Sequence, residues 1–207
     1  MLSELNKKNF VNLIKSSTVE EIIWMSGYMS GILSIYYKKK IKNNFNYKIT
    51  LVYSTVSGNS KNLAFSMIKK AKEKKLNIKL IDLDLYNLID LKNENYFFII
   101  ISTHGEGEPP SSAKSFFNFI HKEKNLNLKN IKYSVLALGD RSYTFFCKAG
   151  EDIDKRLYKL GASRIIPLYK CDVTDFKKKA DDWFIKIFTF FKLDINIEEK
   201  KKLMESL

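Results

Sequence analysis

Three short stretches of this chain combine side chains suited to holding a ligand. Ser54-Thr55-Val56-Ser57-Gly58-Asn59-Ser60 gathers small hydroxyls and a glycine directly ahead of a helical pattern. Backbone N–H groups at a helix start attract phosphate, and hydroxyls add donors. The run is not a P-loop, which needs Gly-x-x-x-x-Gly-Lys-Ser/Thr, and no cation enters it before Lys61. It suits a phosphate monoester held by neutral donors better than a triphosphate with magnesium. An ordinary Ser/Asn helix cap has the same composition. Ser102-Thr103-His104-Gly105-Glu106-Gly107-Glu108-Pro109-Pro110 carries two glycines two apart. The third glycine of a dinucleotide fingerprint is missing and the prolines forbid the usual helix entry, which excludes that motif. Glycine does let a backbone approach a flat ligand closely. A plain Gly-Pro turn is the competing reading. In Leu138-Gly139-Asp140-Arg141-Ser142-Tyr143-Thr144-Phe145-Phe146-Cys147 an aromatic cluster follows a Gly-Asp turn. Tyr143 is suited to stacking on a ring system, whereas Phe145 and Phe146 read as core residues.

The elements that must position these loops follow from hydrophobic patterning. Lys48 to Ser54, Asn77 to Leu83, Tyr96 to Ser102, Lys132 to Leu138 and Arg164 to Leu168 read as strands, and Tyr96 to Ser102 is continuously apolar, as a strand buried on both faces must be. Asn59 to Lys75, Ser112 to Lys122, Glu151 to Leu160 and Asp175 to Phe191 read as helices, with Gly161 placed to end the third. Strands alternating with helices predict a parallel, doubly wound α/β sheet. Ligands of such sheets bind beyond the carboxyl ends of the strands. The loops after strands one, three and four would then offer a phosphate nest, a glycine-rich ring contact and a stacking tyrosine. Together they describe a mononucleotide with a large flat ring. Ahead of the sheet, Ser3 is placed to cap a first helix through Ser16 with an apolar face at Leu5, Phe10, Leu13 and Ile14. Thr18 with Glu20 and Glu21 marks a second helix start. The polar stretch Asn43 to Asn46 is the expected boundary.

Composition bounds the rest. The 207 residues are 45% apolar, enough for a sizeable core and against disorder of the whole chain. No apolar run spans a bilayer and Met1 to Ser16 has no signal-peptide core, so a cytoplasmic protein without membrane attachment is expected. The net charge of +13 invites a nucleic-acid reading, but the lysines lie in scattered runs without aromatic platforms, so a solvated face is preferred and no nucleic-acid partner is expected. Cys147 and Cys171 have the spacing of neither a zinc site nor a disulfide framework, and no metal site is expected.

The loop residues also resemble a known family. Thr55-x-Ser57-Gly58-Asn59-Ser60 is similar to the FMN phosphate loop of flavodoxins. The Ser102–Pro110 run and Leu138-Gly139-Asp140-x-Ser142-Tyr143 resemble the two ring-binding loops of the FMN domains in diflavin reductases. Phe145 to Gly150, Leu160-Gly161-Ala162, Cys171-Asp172-Val173, and the leader segments Leu2-Ser3-x-Leu5 and Trp24-x-Ser26-Gly27-Tyr28 resemble the flavoprotein (alpha) subunit of NADPH-dependent sulfite reductase. The resemblance implies a flavodoxin-like five-stranded sheet in the order 2-1-3-4-5, with a helical extension over residues 1–46, an FMN-binding domain over 47–192 and a polar tail or linker over 193–207. It implies FMN as cofactor. Thr55, Val56, Ser57, Gly58, Asn59 and Ser60 would hold the phosphate, and Ser102, Thr103, His104 and Gly105 would flank the ring. So would Leu138, Gly139, Asp140, Arg141, Ser142, Tyr143, Thr144, Phe145, Phe146 and Cys147, with Tyr143 stacked. No general acid, base or nucleophile is needed.

That family passes electrons from NADPH through FAD and FMN to the siroheme iron–sulfur hemoprotein subunit, which reduces sulfite to sulfide for cysteine biosynthesis. The resemblance therefore implies an oxidoreductase component whose FAD/NADPH module acts in trans or is missing from these residues, and whose acceptor is the hemoprotein subunit. A free flavodoxin-type shuttle and a non-catalytic remnant that only binds the hemoprotein are the competing readings. The leader favours the first over a free shuttle, and three intact loops argue against a remnant. The leader helices fit self-association, docking to a partner or packing on the domain. Two departures stand out: Val56 replaces the family's usual glutamine, and His104 another glutamine. Gly105 and Gly107 are expected to present backbone groups near flavin N5. Glu106, Glu108 and Asp140 are expected to bring negative charge to the ring, and with Glu151, Asp152 and Asp154 to form an acidic docking face.

Overall fold

The structure, a computed structural model, describes residues 3–44, 48–123 and 125–205. It divides into two compact units, Met1–Asn46 with Lys200–Leu207, and Tyr47–Glu199. In the first unit, α1 (Glu4–Ser16) starts where the hydroxyl of Ser3 accepts the Asn6 N–H at 3.3 Å. The second helix, α2 (Val19–Asn44), starts with a reciprocal capping box. Thr18 Oγ1 accepts the Glu21 N–H, and Glu21 Oε2 accepts the Thr18 N–H at 2.7 Å. No residue of α1 is buried: of its expected apolar face Leu5, Phe10 and Leu13 are exposed and Ile14 is half-buried. Trp24 and Tyr28, one turn apart on α2, stack at 5.2 Å. The expected boundary at Asn43–Asn46 falls partly outside the described residues.

The second unit is a six-stranded parallel sheet of β1 (Ile49–Ser54), β2 (Lys79–Asp82), β3 (Tyr96–Ser102), β4 (Lys132–Gly139), β5 (Ser163–Arg164) and β6 (Tyr169–Asp172). Its order is β2-β1-β3-β4-β5, with β6 also paired to β4. The apolar run of β3 is buried on both faces: Phe98 and Ile100 join one core, Phe97, Ile99 and Ile101 the other. Helices α3 (Asn59–Glu73) and α6 (Phe176–Glu205) cover the first face with Met67, Trp183, Phe184 and Phe191. Helices α4 (Lys114–Lys122) and α5 (Lys148–Lys159) cover the second with Phe116, Ile120, Ile153 and Leu157. The indole N–H of Trp183 donates to Ser134 Oγ at 2.8 Å, which satisfies a polar pair inside the first core.

Three elements differ from the sequence reading. Of the expected strand Arg164–Leu168 only Arg164 is strand: β5 ends there, residues 165–168 leave the ladder around Pro167, which has no N–H for it, and pairing with β4 resumes in a second piece, β6. Its second piece reaches Asp172, at the carboxyl edge of the sheet beside Gly139. Helix α5 begins at Lys148, three residues before the expected Glu151. That early turn needs Gly150, because a Cβ there would lie 2.4 Å from the Cβ of Ala137 on β4. The closing helix runs on to Glu205 rather than ending at Phe191.

Candidate functional site

The first loop joins β1 to α3 in four residues. Thr55 Oγ1 accepts the Gly58 N–H at 2.8 Å, and Gly58 adopts φ +89°, a left-handed conformation that glycine takes without strain. Helix α3 has no side-chain cap. Its first-turn N–H groups are therefore free to meet an anion.

The second loop folds on itself. His104 N–H donates to Glu108 O at 2.9 Å, and the Glu108 and Gly107 N–H groups return to His104 O at 2.9 and 3.1 Å. Gly105 and Gly107 lie at φ +50° and +100°. A Cβ on Gly107 would come within 2.9 Å of the Lys148 side chain, so this loop packs against the start of α5. Gly107 is buried and spends its N–H inside the turn. Its N–H is therefore not offered to a ligand, and Gly107 does not line the cavity described below, whereas Gly105 does.

The third loop runs from Gly139 to Cys147. Asp140 accepts the backbone N–H of Ser142 at 2.8 Å and its hydroxyl at 2.6 Å, and Tyr143 N–H closes the turn onto Asp140 O at 3.2 Å. The hydroxyl and amide of Ser142 hold the Asp140 carboxyl below the usual carboxylate range, so it stays ionised at neutral pH. Tyr143 is 66% exposed at the tip of the loop. Cys147 closes the loop in a left-handed conformation, φ +59°, with its buried thiol donating to Ala137 O at 3.3 Å.

These loops enclose a cavity of about 430 Å³ at the carboxyl edge of the sheet. Val56, Ser57 and Asn59 line it from the first loop, and Ser102, Thr103, His104 and Gly105 from the second. Leu138, Gly139, Asp140, Tyr143, Phe145, Phe146 and Cys147 line it from the third. Six residues of the sequence-derived set, Thr55, Gly58, Ser60, Arg141, Ser142 and Thr144, do not line it. Thr55, Gly58 and Ser142 instead shape the turns that do. Thr55 also lines a smaller neighbouring cavity of about 330 Å³ with His104, Glu108 and Lys114. Phe145, read as core, is 39% exposed on the cavity wall. Asp172, Val173 and Phe176 form a fourth wall absent from the sequence-derived set. The signal for them was the position of the last strand, which Pro167 obscured.

Among the described residues, the buried side-chain polar atoms without a partner are Ser60 Oγ, Ser102 Oγ and Thr103 Oγ1. Ser102 and Thr103 line the cavity where β3 enters the second loop, whereas Ser60 lies in the first turn of α3 behind the first loop. A buried hydroxyl left unpaired costs roughly 1–3 kcal/mol, so these atoms fit a ligand that supplies hydrogen-bond partners. The expected acidic docking face does not form as read. Asp154 is 5% exposed and makes a two-point pair with Arg164 at 2.8 and 2.6 Å. Glu151 is paired with Lys155 and Lys170, and Asp152 with Lys148. His121, at the end of α4, is exposed and stacks on Phe117. No group of metal-binding side chains occurs among the described residues, and no helix there is long and apolar enough to cross a membrane.

Comparison with known proteins agrees with this geometry. The flavodoxin family profile matches residues 51–184. The chain is 35% identical over 192 residues to the sulfite reductase [NADPH] flavoprotein alpha-component of Shewanella oneidensis, covering 88% of this chain and 32% of that protein. It is 32% identical over 202 residues to the protein of the same name from Vibrio cholerae, covering 93% of this chain and 33% of that one. The chain thus spans about a third of the length of these curated relatives. Among solved structures, a flavodoxin from Pseudomonas aeruginosa superposes with a TM-score of 0.60 at 22% identity, over 68% of this chain and 95% of its own. Flavodoxins are FMN-binding proteins. With the sheet order, the loop positions and the matched profile in agreement, the chain belongs to the flavodoxin family.

Proposed function

We propose that this chain is the FMN-binding electron-transfer module of a sulfite reductase flavoprotein. The observation that carries the reading is the convergence of three loops, with the unpartnered hydroxyls of Ser102 and Thr103, on one cavity at the carboxyl edge of the sheet. Bound there, FMN would supply the redox chemistry by accepting and releasing electrons. The residues of this chain bind and tune it. The uncapped start of α3 and the hydroxyls of Ser57 and Ser60 suit the phosphate. Tyr143 suits one face of the ring and His104 the other, while Leu138, Phe145 and Phe146 exclude water from the inner wall. The ionised Asp140 on the cavity wall, and Glu106 and Glu108 on the neighbouring turn, disfavour added negative charge on the ring and so favour a stronger reductant.

The electrons would come from an FAD-bearing module that oxidises NADPH, and would pass to the hemoprotein subunit that reduces sulfite to sulfide. Similarity to the alpha-component that extends into the helical leader supports this reading over a free shuttle. The test is reduction of the FMN-loaded chain followed by absorbance. NADPH alone is expected to leave it oxidised, and adding a separate FAD-containing NADPH reductase is expected to reduce it. Reduction by NADPH alone would exclude the proposed division of labour.

A further inference from the structure

Asp172 sits on a different strand from the loop that carries Tyr143, yet the two leave the sheet together. In the ladder between β4 and β6, Asp172 is the register partner of Gly139, the first residue of the aromatic loop. Its carboxylate is aimed by its own turn. Oδ1 accepts the Val173 N–H at 2.8 Å and Oδ2 the Thr174 hydroxyl at 3.2 Å, while its backbone N–H donates to Asp175 Oδ1 at 3.2 Å. So held, Oδ1 also accepts the Arg141 N–H at 3.2 Å.

That contact bears on the whole aromatic loop. Asp140 to Tyr143 is a four-residue turn closed by Tyr143 N–H on Asp140 O, with Arg141 as its second residue. The other hydrogen bonds of residues 140–146 stay within the loop or join it to the first residue of α5. Among the described residues, the Arg141–Asp172 bond is the one that ties this turn to another strand. Fixing the second residue of a closed turn fixes the direction of its fourth, which here is the exposed Tyr143.

We propose that Asp172 is a positioning residue, a latch that holds the Asp140–Tyr143 turn so that Tyr143 faces the ring of the bound flavin. Its functional side rests on the FMN reading above; the latch itself rests on the hydrogen bonds alone. A charged acceptor is stronger than a neutral one, so losing it loosens the turn rather than merely rearranging it.

The test uses the full chain and two readouts. In ligand-free protein, amide hydrogen exchange at Arg141 is expected to be at least about tenfold faster in Asp172→Ala than in wild type, with β3 amides unchanged. Asp172→Asn, which keeps an oxygen acceptor, is expected to restore most of the protection. In FMN titrations followed by flavin fluorescence, Asp172→Ala is expected to weaken binding about tenfold, the weight of one hydrogen bond to a charged group. The same change made in a Tyr143→Ala background is expected to weaken it less than about twofold, because the two residues act as one unit. Unchanged exchange at Arg141 overturns the latch, whatever FMN does. Faster exchange with equal FMN losses in both backgrounds overturns the link to Tyr143. A wild-type chain that binds no FMN refutes the cofactor reading instead, and the exchange measurement still decides the latch.

Discussion

Gly139 faces Cys147 so closely across the base of the aromatic loop that a Cβ on Gly139 would lie 2.8 Å from the Cys147 nitrogen and 3.2 Å from its sulfur. The backbone nitrogen cannot swing aside as a flexible side chain would. Gly139→Ala must therefore push the loop off its seat. We expect a destabilisation of about 1–3 kcal/mol by urea denaturation, typical of overpacking. FMN affinity is expected to fall at least about tenfold in the same variant, because both ends of the cavity's third wall move.

Ser102 Oγ and Thr103 Oγ1 are buried without partners, and both residues line the cavity. Removing such a hydroxyl relieves an unpaired polar group in the ligand-free chain but deletes a partner for a ligand. Thr103→Val is expected to leave the melting temperature of the ligand-free protein unchanged or raise it, and to weaken FMN binding by about 1 kcal/mol, roughly fivefold. Calorimetry and fluorescence titration together check the opposite signs.

Asp154, on the helix that covers the second face, pairs with Arg164; the Asp154 side chain is 7% exposed and Arg164 lies over the ring of Tyr158 at 5.0 Å. Arg164→Leu strands the carboxylate. We expect a loss of about 3 kcal/mol of stability, with FMN affinity changed less than about twofold because neither residue lines the cavity. Denaturation midpoints and titrations of the same sample test both halves.

Burial pushes the thiols of Cys147 and Cys171 up to about 12, well above a free cysteine. Burial likewise raises the phenols of Tyr86 and Tyr133, reinforced by Glu94 and Asp154. Each group ionises more readily in the unfolded chain than in the folded one. Their contribution is therefore complete below about pH 9, the ordinary thiol value, and is lost as pH rises from there toward 12. Stability measured by urea between pH 8 and 12 is expected to fall across that window. At pH 8 a thiol reagent is expected to modify neither cysteine until denaturant is added.

Much of this site was legible because it depends on strand ends and turn residues. The runs 49–54, 96–102 and 132–139 are apolar enough to be strands whatever surrounds them, and the loops at their carboxyl ends follow. The last strand was not legible in the same way. Pro167 splits it, so its far half and the wall formed by Asp172, Val173 and Phe176 carried no periodic signal of their own. Asp154 looked like a surface acid because its partner Arg164 is ten residues away on another element. That the turn at 104–108 consumes the Gly107 N–H carried no signal in composition. The extension of α6 past Phe191 is dominated by charged and amide residues such as Lys192, Asp194, Asn196, Glu198 and Glu199, so the sequence reads there as a polar tail rather than as more helix.

The central claim is that the cavity between Ser57, His104 and Tyr143 holds FMN. The direct measurement is titration of the ligand-free full chain with FMN, followed by flavin fluorescence and by gel filtration of the mixture. The account predicts saturation at one FMN per chain, quenching of the flavin by Tyr143, coelution of flavin with protein, and recovery of much of the fluorescence in Tyr143→Ala. Unquenched fluorescence throughout the titration, with no flavin eluting beside the protein, would contradict it.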